Sequence, residues 1–301
     1  MAESAITSFL RENLACPVCK AAPLITGEGD LICPDCARHF PGRDGIWYML
    51  PDYSKEVRNN SGESIGEHYD NRSMVPGTLR EIMERVTAFE LLNLKGGEHV
   101  LDVGAGTLRN GLYALEKGAG IVCGIDLIPG MLKYGIAKAG KRGFADKIGS
   151  VVADACFIPF RDEAFDSVIS LELVEHIPAG ADMIFKEIFR VLKPGGRAAV
   201  NVWSVVTHLA DRRKKNEGYY INDTFYKFYF PGEFLDLMAD VDFTRKELYG
   251  HYFIPVIGHL MGKMKIPHSL GVSLAIERIV RRCSPRLSIL LGRFLIVKLE
   301  K

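Results

Sequence analysis

The stretch Val100-Leu101-Asp102-Val103-Gly104-Ala105-Gly106-Thr107 decides the fold of this chain. An apolar run stops at a Gly-x-Gly turn and restarts as a helix, which brings backbone amides close to a ligand. The segment from Ile121 to Asp126 follows after one helix length and ends on another acidic residue. An acid about 20 positions after such a turn suits the hydroxyls of a ribose. The two segments therefore predict a crevice for a nucleotide cofactor.

The residues around this turn indicate which class of nucleotide cofactor the crevice would bind. Arg109 stands where a dinucleotide fingerprint needs its third glycine, so close passage of a pyrophosphate has no support and hydride chemistry is disfavoured. Asp102, two residues before the first glycine, would repel phosphates, whereas it could accept hydrogen bonds from the amino group of a cationic ligand. This combination favours S-adenosylmethionine.

Three later segments follow in the order seen in one enzyme class. Val151–Ala155 and Phe165–Glu172 match a third and a fourth strand, and Val191–Arg197 contains a Pro-Gly-Gly turn that ends a helix with a positive φ. With the opening stretch, they make the chain resemble the class I methyltransferases over roughly residues 66 to 301. The resemblance implies an α/β fold with a Rossmann-like seven-stranded methyltransferase sheet. The alternative is a Rossmann-like fold that binds something else.

The resemblance also implies which residues hold the cofactor. Asp102, Gly104 and Gly106 would line its methionine end, where glycine permits close approach of the backbone. Asp126 would accept hydrogen bonds from both ribose hydroxyls, although it could also cap the helix that Pro129 opens. The other candidates, near the adenine or at the end of the fourth strand, are Leu127, Asp154, Ala155 and Leu171.

Candidate catalytic residues follow the fourth strand. Glu172 is expected to face the sulfonium end of the cofactor. His176 is a candidate general base, with a structural role in capping the next helix as the alternative. The Asn/Asp-Pro-Pro-Tyr/Phe signature of many enzymes that methylate planar amines is absent, which favours an oxygen or carbon acceptor. Tyr69 is a candidate lid contact, or else an exposed aromatic of a linker.

Four of the seven cysteines form two Cys-x-x-Cys pairs near the N-terminus: Cys16, Cys19, Cys33 and Cys36. Each pair can direct two thiolates at one tetrahedral Zn²⁺, and all four together would close its coordination shell. A segment this short has little core of its own, so a metal would supply much of its folding free energy. The alternative, a redox-active pair, would need a thioredoxin-like strand and helix, which the sequence does not show.

The residues around these pairs carry a second resemblance. Leu31–Pro41, leading to Asp44–Pro51, is similar to the small zinc-ribbon activators of tRNA, rRNA and release-factor methyltransferases. It is also similar to the ribbon of the large-subunit rRNA guanine-N1 methyltransferases. The first similarity implies docking on the catalytic domain, and the second implies recognition of RNA.

The chain is predicted to have three parts: a zinc ribbon over residues 1–51, a polar linker over 52–75 and a methyltransferase domain over 76–301. A helix is predicted from Leu79 to Leu94, with Ile82, Val86, Phe89 and Leu92 at helical spacing. Beyond Glu98, strands and helices alternate as in a parallel sheet, and a partly helical insertion is predicted at about 252–290. Strands are expected near 98–103, 121–126, 148–153, 165–171, 197–202, 243–249 and 292–299, and helices near 107–117, 129–140, 179–192 and 231–239.

Composition and charge limit the class of protein. A formal net charge of +1 argues against a generally basic nucleic-acid binder. The first residues lack the basic and apolar regions of a signal peptide, and no apolar run reaches the roughly 18 residues of a spanning helix. The sequence therefore predicts a cytoplasmic protein, and its oligomeric state stays open.

Two regions outside the common core bear on the methyl acceptor. Asp211–Lys215 is basic and precedes an aromatic stretch up to Phe230, which could hold an RNA backbone and bases or seat a small molecule. Residues 251–290 are apolar with interspersed basic groups and could cover a hydrophobic acceptor or contact an anionic membrane. We favour a small-molecule or lipid-like acceptor. RNA is the main alternative, and a non-catalytic scaffold is a third.

Overall fold

The structure is a computed structural model that describes residues 3–27, 29–51, 79–207, 212–221, 224–253 and 269–301. Its strands are β1 Ile25–Thr26, β2 Asp30–Ile32, β3 His39–Arg43, β4 Ile46–Tyr48, β5 His99–Val103, β6 Ile121–Asp126, β7 Ile148–Val152, β8 Phe165–Ser170, β9 Leu192–Trp203, β10 Tyr219–Ile221, β11 Thr224–Tyr226, β12 Arg245–His251 and β13 Phe294–Glu300. Its helices are α1 Ala5–Asn13, α2 Leu79–Leu92, α3 Arg109–Glu116, α4 Pro129–Lys141, α5 Ala181–Val191, α6 Arg212–Glu217, α7 Pro231–Asp236, α8 Leu270–Cys283 and α9 Pro285–Leu291. Short 3₁₀ turns occupy Ala155–Phe157 and Val174–His176.

One mixed sheet organises the molecule, with strand order β1-β2-β3-β4-β7-β6-β5-β8-β9-β13-β12. Its last seven strands are the predicted Rossmann-like sheet: β5 to β9 pair in parallel, and β13 runs antiparallel between β9 and β12. The strands β5, β6 and β7 extend the sheet in one direction, and the chain then returns to place β8 on the other side of β5. The strand order therefore reverses between β5 and β8. In such sheets the ligand crevice lies at this switch point, beyond the carboxyl ends of the strands.

The predicted strands form where apolar runs are long enough to be buried on both faces. Every residue of β7 is buried, and β6 is buried apart from its last residue, Asp126, which is half-buried. A strand covered by helices on both sides needs such continuous apolar runs. The burial pattern therefore leaves the polar ends of these strands as the accessible part of the sheet.

The ribbon joins this sheet directly. Strand β4 pairs in parallel with β7, with Trp47 opposite Val151, and the Met49 amide donates to the Val152 carbonyl at 2.8 Å. Helix α1 packs beside the same strand, where a side chain at Gly149 would come within 2.8 Å of Ile6. The ribbon and the catalytic domain therefore share one hydrophobic core.

Polar contacts also connect the N-terminal ribbon and α1 to α5 and to the loop before β8. Lys20 Nζ lies 2.7 Å from Glu187 Oε2 on α5, and Arg161 Nε donates to Asn13 Oδ1 at 2.8 Å. Burial of the Lys20 amine lowers its pKa, although the Glu187 carboxylate opposes that shift. A half-buried pair with good geometry orients the two parts more than it stabilises them.

The structure differs from the sequence prediction in several elements. Helix α1 and the hairpin β10–β11 were not predicted, and β9 begins at Leu192 and includes the Pro-Gly-Gly turn. Helix α2 leaves Ile82 and Val86 only half-buried, since it is rotated to bury Met83 and Glu84 instead. Residues 254–268 of the predicted insertion lie outside the described ranges, and α8 and α9 form its remainder. Within the described ranges, no helix combines the length and apolar character required to cross a bilayer.

Candidate cofactor site and metal centre

The ends of β5, β6 and β7 bring the predicted acids to one edge of the sheet. Asp102 lies one residue before the end of β5, Asp126 ends β6, and Asp154 follows β7 by two residues. Because neighbouring parallel strands end together, these positions line one side of the crevice at the switch point. The structure thus places the three predicted acids at the same edge of the sheet, and their role in binding a cofactor stays a prediction.

The glycine turn adopts the conformation that its sequence predicts. Gly104 and Gly106 have φ of 74° and 50°, in the left-handed region that favours glycine. The amides of Gly104 and Ala105 both donate to the Ile125 carbonyl at 2.9 Å, which holds the turn against β6. A side chain at Gly104 would meet Leu173 at 3.0 Å, so the turn also lies close to the segment after β8.

Asp126 organises the turn between β6 and α4. Its Oδ2 accepts from the Gly106 amide at 2.8 Å, and its Oδ1 accepts from the Ile128 amide at 2.9 Å. Burial raises the pKa of this carboxyl, and the backbone amides that donate to it oppose the shift. The N-cap position of α4 is Ile128, so Asp126 braces the approach to the helix instead of capping it. Each oxygen retains a lone pair for another donor.

Asp102 is fully buried and only half satisfied. Its Oδ2 accepts from the Gly111 amide at 2.9 Å, whereas its Oδ1 accepts no hydrogen bond from any described residue. Burial raises the pKa of Asp102 to about 7 and the charge of Asp126 adds to the shift, whereas the Gly111 amide, Arg85 and the Asn110 side chain oppose it. A buried carboxylate oxygen without a donor is costly unless a ligand or a proton satisfies it. One carboxylate oxygen of Asp102 is thus enclosed without a hydrogen-bond donor next to the glycine turn.

The remaining cofactor candidates follow the ends of three strands, β6, β7 and β8. Asp154 accepts from the Cys156 amide at 2.8 Å and caps the 3₁₀ turn that starts at Ala155. Leu127 is 38% exposed although it is large and apolar, and Leu171 is buried at the end of β8. An exposed leucine beside Asp126 offers an apolar surface for a flat ring.

A buried ionic cluster lies beyond the end of β8, and the sequence did not predict it. Glu172 has φ of 55° and its amide donates to Asn201 Oδ1 at 2.7 Å. The Glu172 carboxylate pairs with Arg80, and Asn201 donates to Glu84. Burial raises the pKa of Glu84 well above its usual value, with Glu172 adding to the shift. The members come from α2, β9 and the loop after β8, so no local signal connects them.

Two further buried groups lie near this cluster. Glu175 is completely buried and neither of its carboxylate oxygens accepts a hydrogen bond within the described part of the chain. Burial raises its pKa well above the ordinary value, and Glu172 raises it further. His251 is also completely buried, with its ring 5.1 Å from that of Phe294, and burial lowers its pKa to about 3. Both groups are therefore expected to be uncharged at neutral pH.

His176 fastens the hairpin β10–β11. Its Nδ1 lies 2.8 Å from the Phe225 carbonyl oxygen, which can only accept, so Nδ1 carries a proton. The ring packs edge-on against Tyr226, with centroids 4.7 Å apart. In the neutral ring this tautomer leaves Nε2 as the basic nitrogen. The next helix, α5, has Gly180 at its N-cap without a side-chain cap, so the predicted capping role is wrong, and the contacts of His176 hold the hairpin instead.

The aromatic stretch after β9 is largely packed on itself. Tyr219 stacks on Tyr226 at 5.9 Å, and Trp203 lies 5.1 Å from Phe228. Lys215 Nζ sits 5.1 Å over the Phe228 ring. Tyr220 also packs on Phe225, with ring centroids 5.4 Å apart, although it is 64% exposed. The side chains of residues 211–214 and all of Tyr69 lie outside the described residues.

The four N-terminal cysteines converge on one point: Cys16, Cys19, Cys33 and Cys36 have all their sulfur atoms within 4.8 Å of one another. Cys16 and Cys36 are 3.7 Å apart, and Cys19 and Cys33 are 3.4 Å apart. A tetrahedron of Zn–S bonds about 2.3 Å long has edges of about 3.8 Å. The thiols thus fit the geometry of a structural zinc site. The Arg38 amide lowers the pKa of Cys36 to about 6, whereas burial raises the pKa of Cys33 to about 12.

The sheet order, the glycine turn and the strand-end acids define a Rossmann-like fold of the methyltransferase type. Comparison with known families agrees: residues 101–200 match the methyltransferase domain family, and residues 8–45 match the Trm112p-like protein family. The chain therefore carries a methyltransferase domain behind a Trm112p-like domain with four clustered cysteines.

Known relatives match part of this chain. A demethylmenaquinone methyltransferase of Anoxybacillus flavithermus is 34% identical over 148 residues, 48% of this chain and 61% of its own length. Squalene methyltransferase 1 of Botryococcus braunii is 33% identical over 180 residues, 59% of this chain and 46% of its own. Methyltransferase GfsG of Streptomyces halstedii is 32% identical over 124 residues, 40% and 44% respectively. The chain thus spans about half the length of these curated relatives.

Among solved structures, one similar chain comes from the complex between the Haloferax volcanii Trm112 methyltransferase activator and a methyltransferase. It has a TM-score of 0.52 and 19% identity, and the match covers 80% of this chain and 97% of the other. The [4+2]-cyclase SpnF has a TM-score of 0.51 and 20% identity over 72% of this chain and 80% of its own. At these identities the likeness establishes the fold.

Proposed function

We propose that this protein is an S-adenosylmethionine-dependent methyltransferase that acts on a small or lipid-like molecule at oxygen or carbon. The observation that carries the proposal is the half-satisfied carboxylate of Asp102, buried beside the glycine turn. An unpaired acceptor in the interior suits the α-ammonium group of an amino-acid moiety. A cationic donor would also offset the cost of a buried negative charge, which a neutral donor would not.

The remaining strand-end residues complete the cofactor's surroundings in this proposal. Asp126 would accept from the ribose hydroxyls with the lone pairs that its two amide donors leave free. Asp154, Ala155 and Leu127 would border the adenine, and Leu171 would lie against the cofactor at the end of β8. When bound, the cofactor supplies an electrophilic methyl group on a sulfonium.

Transfer forms a bond between the acceptor and the methyl carbon and breaks the sulfur–carbon bond, so the protein mainly positions the acceptor and removes its proton. His176 Nε2 is the proposed proton acceptor, since the Phe225 carbonyl fixes the opposite nitrogen as the donor. Glu172 would act on the sulfonium side, held by Arg80 and by the Asn201 side chain. The described geometry offers both groups on the segment that follows β8.

Three observations support a small or lipid-like acceptor over RNA. The names of two relatives give demethylmenaquinone and squalene as their methyl acceptors. The aromatic rings after β9 pack against one another, so few remain to stack on bases. The net charge of +1 lacks the basic excess of a general RNA binder. RNA stays the second candidate because the Trm112p-like domain resembles activators of enzymes that modify RNA.

Transfer of a labelled methyl group tests both candidates. The protein would be incubated with methyl-labelled S-adenosylmethionine and cell extract separated into RNA, lipid and small-molecule fractions. Asp126→Ala is the inactive variant, and Asp242→Ala, which removes an exposed carboxylate, is the matched control. Label in the lipid or small-molecule fraction that disappears with Asp126→Ala supports the proposal. Label in RNA supports the second candidate, and no label in any fraction contradicts both.

We also propose that the four clustered thiols bind one structural Zn²⁺. With four protein ligands the metal has no position for water, so its contribution is to folding. Unpaired thiols that serve as ligands suit a reducing compartment, so the cytoplasm is the expected location. Elemental analysis should find about one zinc per chain, lost in Cys33→Ser and kept in Cys283→Ser, which changes an exposed lone cysteine.

A further inference from the structure

The helices α8 and α9 expose large apolar side chains. Ile279 on α8 is 62% exposed, and Leu287 and Leu290 on α9 are 43% and 59% exposed. Among the described residues, the other large apolar side chains with this exposure are scattered over the ribbon, the cofactor site and the hairpin: Val18, Ile25, Leu127 and Tyr220. Three of the exposed large apolar side chains therefore lie within 12 consecutive positions of α8 and α9.

The buried faces of the same helices are largely polar, although α8 also buries Leu274. Ser273, Glu277 and Arg281 on α8 are buried, as is Ser288 on α9. Glu277 accepts from the Phe253 amide at 3.0 Å, and Arg281 donates to Thr87 at 2.9 Å. An amphipathic helix of a water-soluble domain usually buries apolar residues and exposes polar ones. Here the pattern is partly reversed, so folding of this chain does not account for the outward apolar residues.

The outward face is also cationic. Arg282 and Arg286 are exposed and form no ion pair with any described residue. Their neighbours Arg278 and Arg281 are held by Glu90. Glu277 is the sole acidic residue between positions 269 and 293, and it points inward. Exposed leucines interspersed with unpaired arginines are the composition of a helix that lies on an anionic lipid surface.

We propose that α8 and α9 dock the protein on membranes that contain anionic phospholipids, and we call Ile279, Arg282, Arg286, Leu287 and Leu290 the docking face. The inference rests on the proposed function, because a lipid-like acceptor has to be taken from a membrane. A second copy of the chain is a poorer occupant. A two-fold contact would set unpaired arginines of one face near those of the other, with no outward acid to neutralise them.

Flotation with lipid vesicles tests the docking face. The intact protein should bind vesicles of phosphatidylcholine with phosphatidylglycerol and should bind pure phosphatidylcholine vesicles far more weakly, with affinity falling as salt increases. Arg282→Ala with Arg286→Ala should weaken binding about 30-fold, since each basic residue contributes about a factor of five. Leu287→Ser with Leu290→Ser should weaken it by at least about tenfold, because less apolar surface inserts.

Matched controls change similar residues elsewhere. Lys141→Ala with Lys147→Ala removes two exposed charges near α4, and Ile25→Ser removes an exposed apolar side chain of the ribbon. Both should bind vesicles like the unchanged protein. Equal binding to neutral and anionic vesicles, equal losses in the controls, or no binding at all would overturn the proposal.

Calorimetry with S-adenosylmethionine separates this proposal from the proposed function. Every docking-face variant should keep the cofactor affinity of the unchanged protein, which also shows that it is folded. If vesicle binding fails while the protein still methylates detergent-dispersed lipid extract, the docking proposal is wrong and the function stands. If the unchanged protein does not bind the cofactor, the proposed function itself is wrong.

Discussion

Lowering the pH should weaken S-adenosylmethionine binding through one carboxylate. Asp102 is fully buried, its Oδ1 lacks a donor in the described structure, and burial raises its pKa to about 7. The proposed role needs the ionised form, because a protonated carboxyl attracts an ammonium group much less strongly. Each proton taken up by Asp102 in the free protein therefore competes with the cofactor.

The magnitude follows from the ionised fraction of Asp102. With a pKa of about 7, about half of the unliganded molecules carry the charge at pH 7 and about one in a hundred at pH 5. The dissociation constant should thus rise about 50-fold between these values and approach a tenfold change per pH unit at the acidic end. Below pH 7 the ammonium of the cofactor stays charged, because α-amino groups titrate near 8.

Isothermal titration calorimetry at pH values from about 5 to 7 measures this dependence. Asp102→Asn keeps an oxygen for the Gly111 amide and removes one titrating charge, so its affinity should be low and depend on pH less steeply, with Asp126 as the remaining buried carboxyl. Asp242→Asn, at an exposed position, should retain the full dependence. A flat profile for the unchanged protein, or an equally steep one for Asp102→Asn, would refute the assignment.

The same carboxylate should lower the stability of the unliganded protein at high pH. Its folded pKa lies above the usual 3.8, so the folded state binds more protons, and the free energy of unfolding falls as the pH rises from about 4 to about 7. The shift corresponds to roughly 4 kcal/mol if fully expressed. In chemical denaturation Asp102→Asn should therefore gain stability relative to the unchanged protein at pH 8 and much less at pH 4. A gain independent of pH would point to a packing effect.

Three further predictions concern other residues. Asp126→Ala should weaken cofactor binding about 100-fold in calorimetry, since it loses two hydrogen bonds to a charged acceptor, and an unchanged affinity would remove Asp126 from the site. Removal of metal by a chelator should lower the unfolding midpoint of the whole chain by roughly 4–8 °C, the equivalent of about 2 kcal/mol, because β4 pairs with β7. Cys36→Ser should lower the midpoint in calorimetric scans by a similar amount. Separate melting of the ribbon alone would contradict this prediction. His176→Gln can still donate to the Phe225 carbonyl, so it should keep the cofactor affinity while methyl transfer falls about 10²-fold; full activity in this variant would show that His176 is structural.

The central strands and the strand-end acids were predictable because their signals are local. An apolar run such as β6, ended by Asp126, carries its burial and its polar terminus within six residues. Parallel strands that end at one edge then bring Asp102, Asp126 and Asp154 together without further information. The cysteine spacing is equally local, and the four sulfur atoms converge as predicted.

The ionic cluster could not be predicted for the opposite reason. The members of the cluster lie far apart in the sequence, and the first and last are separated by more than about 100 residues. Each resembles an ordinary surface residue in its own segment: Arg80, Glu84, Glu172 and Asn201. Helix α2 shows the same limit, since apolar spacing favoured a face with Ile82 and the fold instead turns Glu84 inward. The rotation of α2 about its axis is therefore set by the residues that it contacts in the folded chain, and the spacing of its apolar residues does not determine it.

The pairing of β4 with β7 has a consequence for the order of folding. Trp47 emerges from the ribosome about 100 residues before its partner Val151, so the joint cannot close until most of the catalytic sheet has been made. During that interval β4 is an edge strand without a neighbour on one side, and such edges are prone to pair with other chains. A ribbon already closed around its metal would hold β4 in a short, fixed hairpin meanwhile. Metal supply during synthesis would thus govern how much of the newly made chain escapes aggregation.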